Sequence, residues 1–305
     1  MLSISSLGLR LSSLSSIKKS FISRLSLSSS PSSSITSSTT TTKETKWKTL
    51  EQGVDICDLE ICIDDDIKNY ETIKLSELVD GILEEPLRIP PSSELPLSLN
   101  NKYYGLRHGQ SEANIAGIIS SEILTGSTIH GLTPLGRDQA KQAAIPLLEV
   151  LNNNNNLIMI SSNFTRARET AQECLNEMER ITSKSYGKVI IRNELRERWF
   201  GRLDGAPLIW YNRVWPIDRL TANNKRYSVE SVTEVVMRIS GLIYDLEKIY
   251  KDKTIVLVSH ADTLQIAQTF MSKGDTRKFA DYRFKNGEVR HMTGGLPVPQ
   301  PIEYK

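Results

Sequence analysis

An α/β fold built on an open sheet of buried strands is predicted by two observations. Short apolar runs at Tyr103–Leu106, Leu157–Ser161, Lys188–Asn193 and Thr254–Ser259 alternate with longer stretches of helical periodicity. The last run, TIVLVS, is almost continuously β-branched, as expected of a central strand covered on both faces. A chain of 305 residues can bury one sizeable core and still carry appendages.

Residues 1–42 are rich in serine and threonine, hold no acidic residue, and carry only Arg10, Lys18, Lys19 and Arg24 as charges. That composition, without the continuous apolar core of a secretory signal, is expected of a disordered organellar transit peptide. The mitochondrion is the expected destination, with the plastid or a plain cytosolic tail as the alternatives. Setting those four cations aside leaves 34 basic residues against 36 acidic ones, a net charge of −2. Such a body lacks the basic surface by which a nucleic-acid binder displaces counterions. No run approaches the roughly 18 apolar residues of a membrane span. Cys57, Cys62 and Cys174 cannot all pair, and no second pair of zinc ligands accompanies the first two, so they read as free thiols in a reducing compartment.

Residues 43–101 form an acidic extension and linker, with a helical pattern through Leu75, Leu78, Val79, Ile82 and Leu83 and then prolines at 86, 90, 91 and 96. Asp64, Asp65 and Asp66 lack regular ligand spacing and read as a solvated turn. The main domain is assigned to 102–290. Its first strand ends at Arg107, His108 and Gly109, placing a cation, an imidazole and a bare backbone where ligands of open α/β sheets collect. His108 is taken as the centre of the site.

A helix then starts with Thr133 as N-cap and Pro134 as first residue, kinks at Pro146, and ends in the loop Asn152–Asn156. After the second strand a helix opens with Arg166 and Arg168, only one of which need face inward; a helix N-terminus and a guanidinium both suit phosphate. After the third strand Glu197 stands between Arg196 and Arg198, and the following Trp199, Phe200 and Gly201 suggest a segment folded inward that shields it. The stripe Val232, Val235, Val236, Ile239, Leu242, Ile243, Leu246 and Ile249 is a core-facing helix. The fourth strand ends at His260, in the same strand-to-turn position as His108. His130 and His291 lack that context and read as surface residues. Residues 291–305 read as an irregular tail.

The motifs LRHGQSEAN from Leu106, TRARETA from Thr165, RERWFG from Arg196 and VSHAD from Val258 together resemble the histidine phosphatase superfamily, also called phosphoglycerate mutase-like, over residues 102–285. The resemblance implies a three-layer α/β/α sandwich with a mostly parallel central sheet. It implies that His108 is the nucleophile that becomes phosphorylated, that Arg107 and Arg166 clamp the phosphoryl group, and that His260 is a second imidazole on its oxygens. Glu197 matches the proton donor, Asn114 and Arg198 match further phosphate or substrate contacts, and Arg168 becomes a helix-surface residue.

These residue types suit phosphoryl transfer. Catalysis there is mostly positioning and neutralisation of charge, which arginines and an imidazolium supply without a metal or cofactor. A neutral imidazole attacks phosphorus once its other nitrogen is held by a hydrogen bond. A shielded carboxyl near the phosphate's charge can stay protonated and supply the leaving alkoxide with its proton.

Mutases of the superfamily carry a long cap insertion with adjacent arginines. Here only residues 206–229 lie between Gly205 and Glu230, with no adjacent arginine pair, so hydrolysis of a small phosphorylated substrate or a phosphoprotein is expected over mutase chemistry. The alternatives are a mutase or a non-catalytic binding protein on the same fold. Within the segment, Arg213, Arg219, Lys225 and Arg226 are candidates for an anionic part of the substrate, and Trp210, Tyr211 and Trp215 for pocket walls. A further departure is Ser228 and Val229 before Glu230, where relatives often have glycines.

Overall fold

The computed structural model describes residues 95–96 and 98–300, together with the backbone of 60–61 and 73–74, all within the unit Cys57–Lys305. The expectations for residues 1–42, the helix near Leu75, Cys57, Cys62 and Asp64–Asp66 lie outside the described residues. Glu60–Ile61 and Ile73–Lys74 pair as a two-residue antiparallel ladder. The main domain is a five-stranded sheet with helices on both faces, the three-layer α/β/α arrangement.

Its strands are β1 (Lys102–Arg107), β2 (Leu157–Ser161), β3 (Ile190–Ile191), β4 (Thr254–Ser259) and β5 (Val289–His291), in spatial order β3-β2-β4-β1-β5. The first four run parallel, and β5 is antiparallel to β1. The helices are α1 (Glu112–Ala116), α2 (Ile123–Thr128), α3 (Pro134–Gln142), α4 (Ala144–Leu151), α5 (Thr165–Thr182), α6 (Tyr211–Asp218), α7 (Val232–Ile249) and α8 (Ala261–Met271). None of them is long and apolar enough to cross a membrane.

Every residue of β4 is buried, as its β-branched run requires. Its side chains alternate between two cores: Ile255 and Leu257 pack with α7 and α8, Val256 and Val258 with α4 and α5. Each such side chain stabilises the fold by about 1.5–3 kcal/mol through burial. The helix after β1 therefore lies on one face and the helix after β4 on the other. Because β1 and β4 are neighbours, a crevice opens beyond their carboxyl ends, the switch point where α/β folds hold ligands.

Local chemistry sets the helix ends. The Thr133 hydroxyl accepts from Gly136 N, Pro134 leads α3, and the helix breaks at Ala143 because Pro146 has no N–H to return to the preceding turn. A capping box of Ser231 and Glu234 starts α7, whose apolar stripe is buried except for Ile249 in the last turn.

Two boundaries differ from the sequence reading. The third strand shrinks to two exposed residues, because Asn193–Leu195 turns into a 3-10 helix. The sheet also gains β5, which extends to His291; Met292 beyond it is fully buried and donates its N–H to Tyr103 O. His291 is therefore a strand residue whose ring packs on Tyr104, at 4.9 Å between centroids. With polar and apolar residues mixed through VRH, β5 has no strand periodicity to read.

Candidate active site

The turn after β1 is fixed on three sides. His108 N donates to Ser259 O on β4 at 3.0 Å, and Gly109 N to Thr170 Oγ1 on α5 at 3.0 Å. Against α3 the contact is backbone on backbone: a Cβ on Gly109 would stand 2.2 Å from Gly136 O, and one on Gly136 would stand 2.0 Å from Gln110 O. Only two glycines allow that approach.

The same turn sets the state of His108. Its Nδ1 lies 2.7 Å from Gly109 O, which can only accept, so the proton sits on Nδ1 and Nε2 keeps its lone pair. Arg166 Nε donates to that Nε2 at 3.2 Å. Burial first, then the charges of Arg166 and Arg107, hold His108 well below the ordinary histidine pKa, so the ring is neutral at pH 7.

Arg166 faces inward from the second position of α5, and Arg168 faces out, where it donates to Ser127 O. The Arg166 guanidinium is held by Ser120: Nη2 donates to Ser120 O at 2.8 Å and Nη1 to Ser120 Oγ at 3.3 Å. Burial lowers its pKa to about 10, which leaves it a cation at neutral pH. Arg107 is half-buried; Nη1 donates to Phe284 O at 2.7 Å, while Nε is buried without a partner among the described residues. Glu197 is buried, and its Oε1 accepts from Arg198 N at 2.9 Å and from Thr263 N and Oγ1, each at 3.3 Å.

Arg107, His108, Asn114, Arg166 and Glu197 line one cavity of about 520 Å³. Asn114 belongs to the capping box of α1 with Ser111, and its Oδ1 also accepts from Asn286 Nδ2 at 3.3 Å. His260 stands behind the wall: fully buried, it faces His108 with ring centroids 5.1 Å apart, and Nε2 lies 2.9 Å from Ser162 Oγ while Nδ1 has no partner among the described residues.

Arg198 departs from its expected role as a substrate contact. It is fully buried and absent from the cavity lining. Its fork binds Asp218 at 2.7 and 2.9 Å, Nε donates to Glu230 O at 2.7 Å, and Nη1 lies 3.5 Å from Asp262. With its donors so engaged, it is a structural ion pair. The cap cations are likewise not in the cavity lining: Arg219 pairs with Asp281, Lys225 with Glu234, and Arg226 lies over Tyr227. Arg213 does not line it either, and Trp210 packs edge-on against Tyr227. Tyr211 and Trp215 do line it, stacked at 4.6 Å. Ser228 has left-handed backbone at φ 60°, a conformation that strains a side chain and not a glycine.

Several lining residues carried no readable signal: Ser120, Gln265 and Arg283 reach the cavity from three separate segments. Burial, then the charge of Glu197, push Asp262 above the usual carboxylate range. His130 is also more than a surface residue. From a left-handed position (φ 54°) its Nδ1 meets Ser120 Oγ at 2.9 Å, behind the anchor of Arg166.

The sequence model of the histidine phosphatase superfamily (branch 1) matches residues 104–295. An uncharacterized phosphatase, PhoE, of Bacillus subtilis (strain 168) is 24% identical over 170 residues, which cover 56% of this chain and 77% of the relative. The solved structure of the product of open reading frame Rv3214 from Mycobacterium tuberculosis shares the fold, with a TM-score of 0.50, 20% identity, and coverage of 65% of this chain and 95% of that one. A structure described as mycobacterial hydrolase 1 is 24% identical, with a TM-score of 0.49 over 62% of this chain and 89% of its own. The chain belongs to the histidine phosphatase superfamily.

Proposed function

We propose that the protein hydrolyses phosphate monoesters through a phosphohistidine formed on Nε2 of His108. The observation that carries the reading is the polarised imidazole: Nδ1 is committed to Gly109 O, and Nε2 faces the cavity beside Arg166. In the first half, the Nε2 lone pair attacks phosphorus, the ester P–O bond breaks, and the leaving alkoxide takes a proton from Glu197. In the second, Glu197 takes a proton from water, the resulting hydroxide oxygen bonds to phosphorus, and the P–N bond breaks to release inorganic phosphate.

Arg107 and Arg166 neutralise the phosphoryl oxygens through both halves. His260 has only Nδ1 left to offer them, since Nε2 meets Ser162 Oγ. Asn114 is assigned a further contact from the cavity lining. The neutralising charges are side chains, which supports a metal-independent reaction. Water is the acceptor in this reading because the arginines and lysine of the cap, which a returning substrate would need, are turned to partners of their own or away from the cavity.

The test is hydrolysis of 4-nitrophenyl phosphate by the full chain. Wild-type protein is expected to release nitrophenolate and phosphate in equal amounts with or without EDTA, and His108→Ala to release none. Wild-type rates in His108→Ala would end the nucleophile assignment. A rate abolished by EDTA and restored by a divalent ion would end the metal-free scheme. Phosphoryl transfer to an added alcohol in place of water would favour the mutase alternative.

A further inference from the structure

On the wall of the cavity supplied by α8 and the segment before β5, two more donors are left without partners. Gln265 is 2% exposed, and its Nε2 is buried with no hydrogen-bond partner among the described residues. Arg283 Nε is in the same condition. Both residues line the cavity that holds His108 and Glu197. A buried donor without an acceptor is costly, typically about 1–3 kcal/mol, and polar groups in such positions are as a rule satisfied by something that occupies the space.

The arginine is held in place in advance. Its guanidinium lies over Trp215 at 5.3 Å, and Trp215 is itself stacked on Tyr211. The backbone on either side is pinned by two other arginines: Arg290 donates to Tyr282 O and Arg283 O, and Arg107 to Phe284 O. The carboxylates near Arg283 in sequence are already taken, Asp281 by Arg219 and Glu288 by Arg290. Asp262 shares the wall, but its Oδ2 accepts from Trp215 Nε1 at 3.1 Å and faces Arg198. Once Arg107 and Arg166 hold a phosphoryl group, Arg283 is the cavity cation left to answer another charge.

We infer that Arg283 and Gln265 form a second oxyanion subsite, which selects phosphate esters whose leaving group carries a carboxylate or a further phosphate. The inference rests on the phosphatase reading above and adds the substrate class. An oxyanion offers acceptors to both orphaned donors and a charge to the guanidinium, whereas a neutral alcohol offers acceptors without the charge and an ammonium group offers neither.

The experiment compares matched esters on the full chain. 3-Phosphoglycerate against glycerol 3-phosphate differs only in a carboxylate, glucose 1,6-bisphosphate against glucose 6-phosphate tests a second phosphate, and phosphoethanolamine presents the opposite charge. The wild type is expected to favour the oxyanion-bearing member of at least one pair by tenfold or more in kcat/KM. Arg283→Gln should bring that ratio close to one, and Gln265→Leu should lower it severalfold; either variant alone suffices if the other does not fold. Wild-type ratios near one in both pairs, ratios unchanged in the variants, or a preference for phosphoethanolamine would overturn the subsite. Turnover of 4-nitrophenyl phosphate by the wild type alongside any of these results would leave the phosphatase reading intact. No turnover of any ester would overturn both.

Discussion

The imidazole rings of His108 and His260 face each other in the interior with centroids 5.1 Å apart and planes tilted by 60°. Both are held well below the ordinary histidine pKa, first by burial and next by Arg166. In the unfolded chain they titrate near the usual value of about 6.5. As pH falls through that value the unfolded state takes up protons that the folded state does not, so stability declines toward acid. Asp262, shifted upward, acts with the opposite sign over part of the same range. The Tm of ligand-free protein between pH 7.5 and 5 should therefore fall less steeply in His260→Gln than in the wild type. An unchanged slope would show that His260 does not titrate differently in the two states.

The tautomer of His108 sets up a second test. A phosphohistidine is labile in acid and stable in alkali, so protein quenched during turnover of a phosphorus-labelled ester should carry label that survives base and is lost in acid. The label should be absent from His108→Ala. Label stable in acid would point to a serine or threonine ester.

In the proposed mechanism Glu197 serves both half-reactions, but 4-nitrophenolate needs no proton on leaving. Glu197→Gln should therefore give a burst of about one nitrophenolate per active site, followed by turnover about 10²–10⁴-fold slower than the wild type. Alkyl phosphates should show no burst. A uniform slowing of both ester classes would remove the carboxyl from the proton-transfer role.

Gly109→Ala probes the backbone contact behind His108, the proposed nucleophile. Its Cβ would meet Gly136 O at 2.2 Å, which forces the turn away from α3. A displacement near 1 Å costs about 10²-fold in rate. The variant should lose at least that much kcat and have a lower Tm, whereas an unaltered kcat would mean that the nucleophile tolerates movement of its turn.

Asp218→Ala tests the buried ion pair. It strands Arg198, which is fully buried, and should destabilise the protein by about 3–5 kcal/mol in urea unfolding. A change under about 1 kcal/mol would show that water or another carboxylate reaches the guanidinium.

What the sequence revealed depended on whether the chemistry was local. His108, Arg166 and His260 sit beside strand ends or helix starts, and those elements announce themselves through periodicity and caps, so their convergence could be anticipated. Glu197 was legible for a different reason, the bulky apolar residues after it that turn the segment inward. Arg198 has the same sequence context as Glu197, and only the position of Asp218, twenty residues on, decides that it pairs internally. Arg283, Gln265 and Ser120 belong to no motif; they reach the cavity through long-range packing that leaves no local signature. The antiparallel strand Val289–His291 escaped notice because three residues are too few for an alternation to show.

The linkage from Asp218 to Arg198, and from Trp215 to Asp262, ties α6, which brings Tyr211 and Trp215 to the cavity wall, to the loop that carries Glu197 and to α8. Lifting α6 away would strand the Arg198 charge in the interior. On the proposed reading, esters enter past α6 without displacing it, and selectivity is altered by exchanging single side chains such as Tyr211 and Trp215 while this buried pair stays in place.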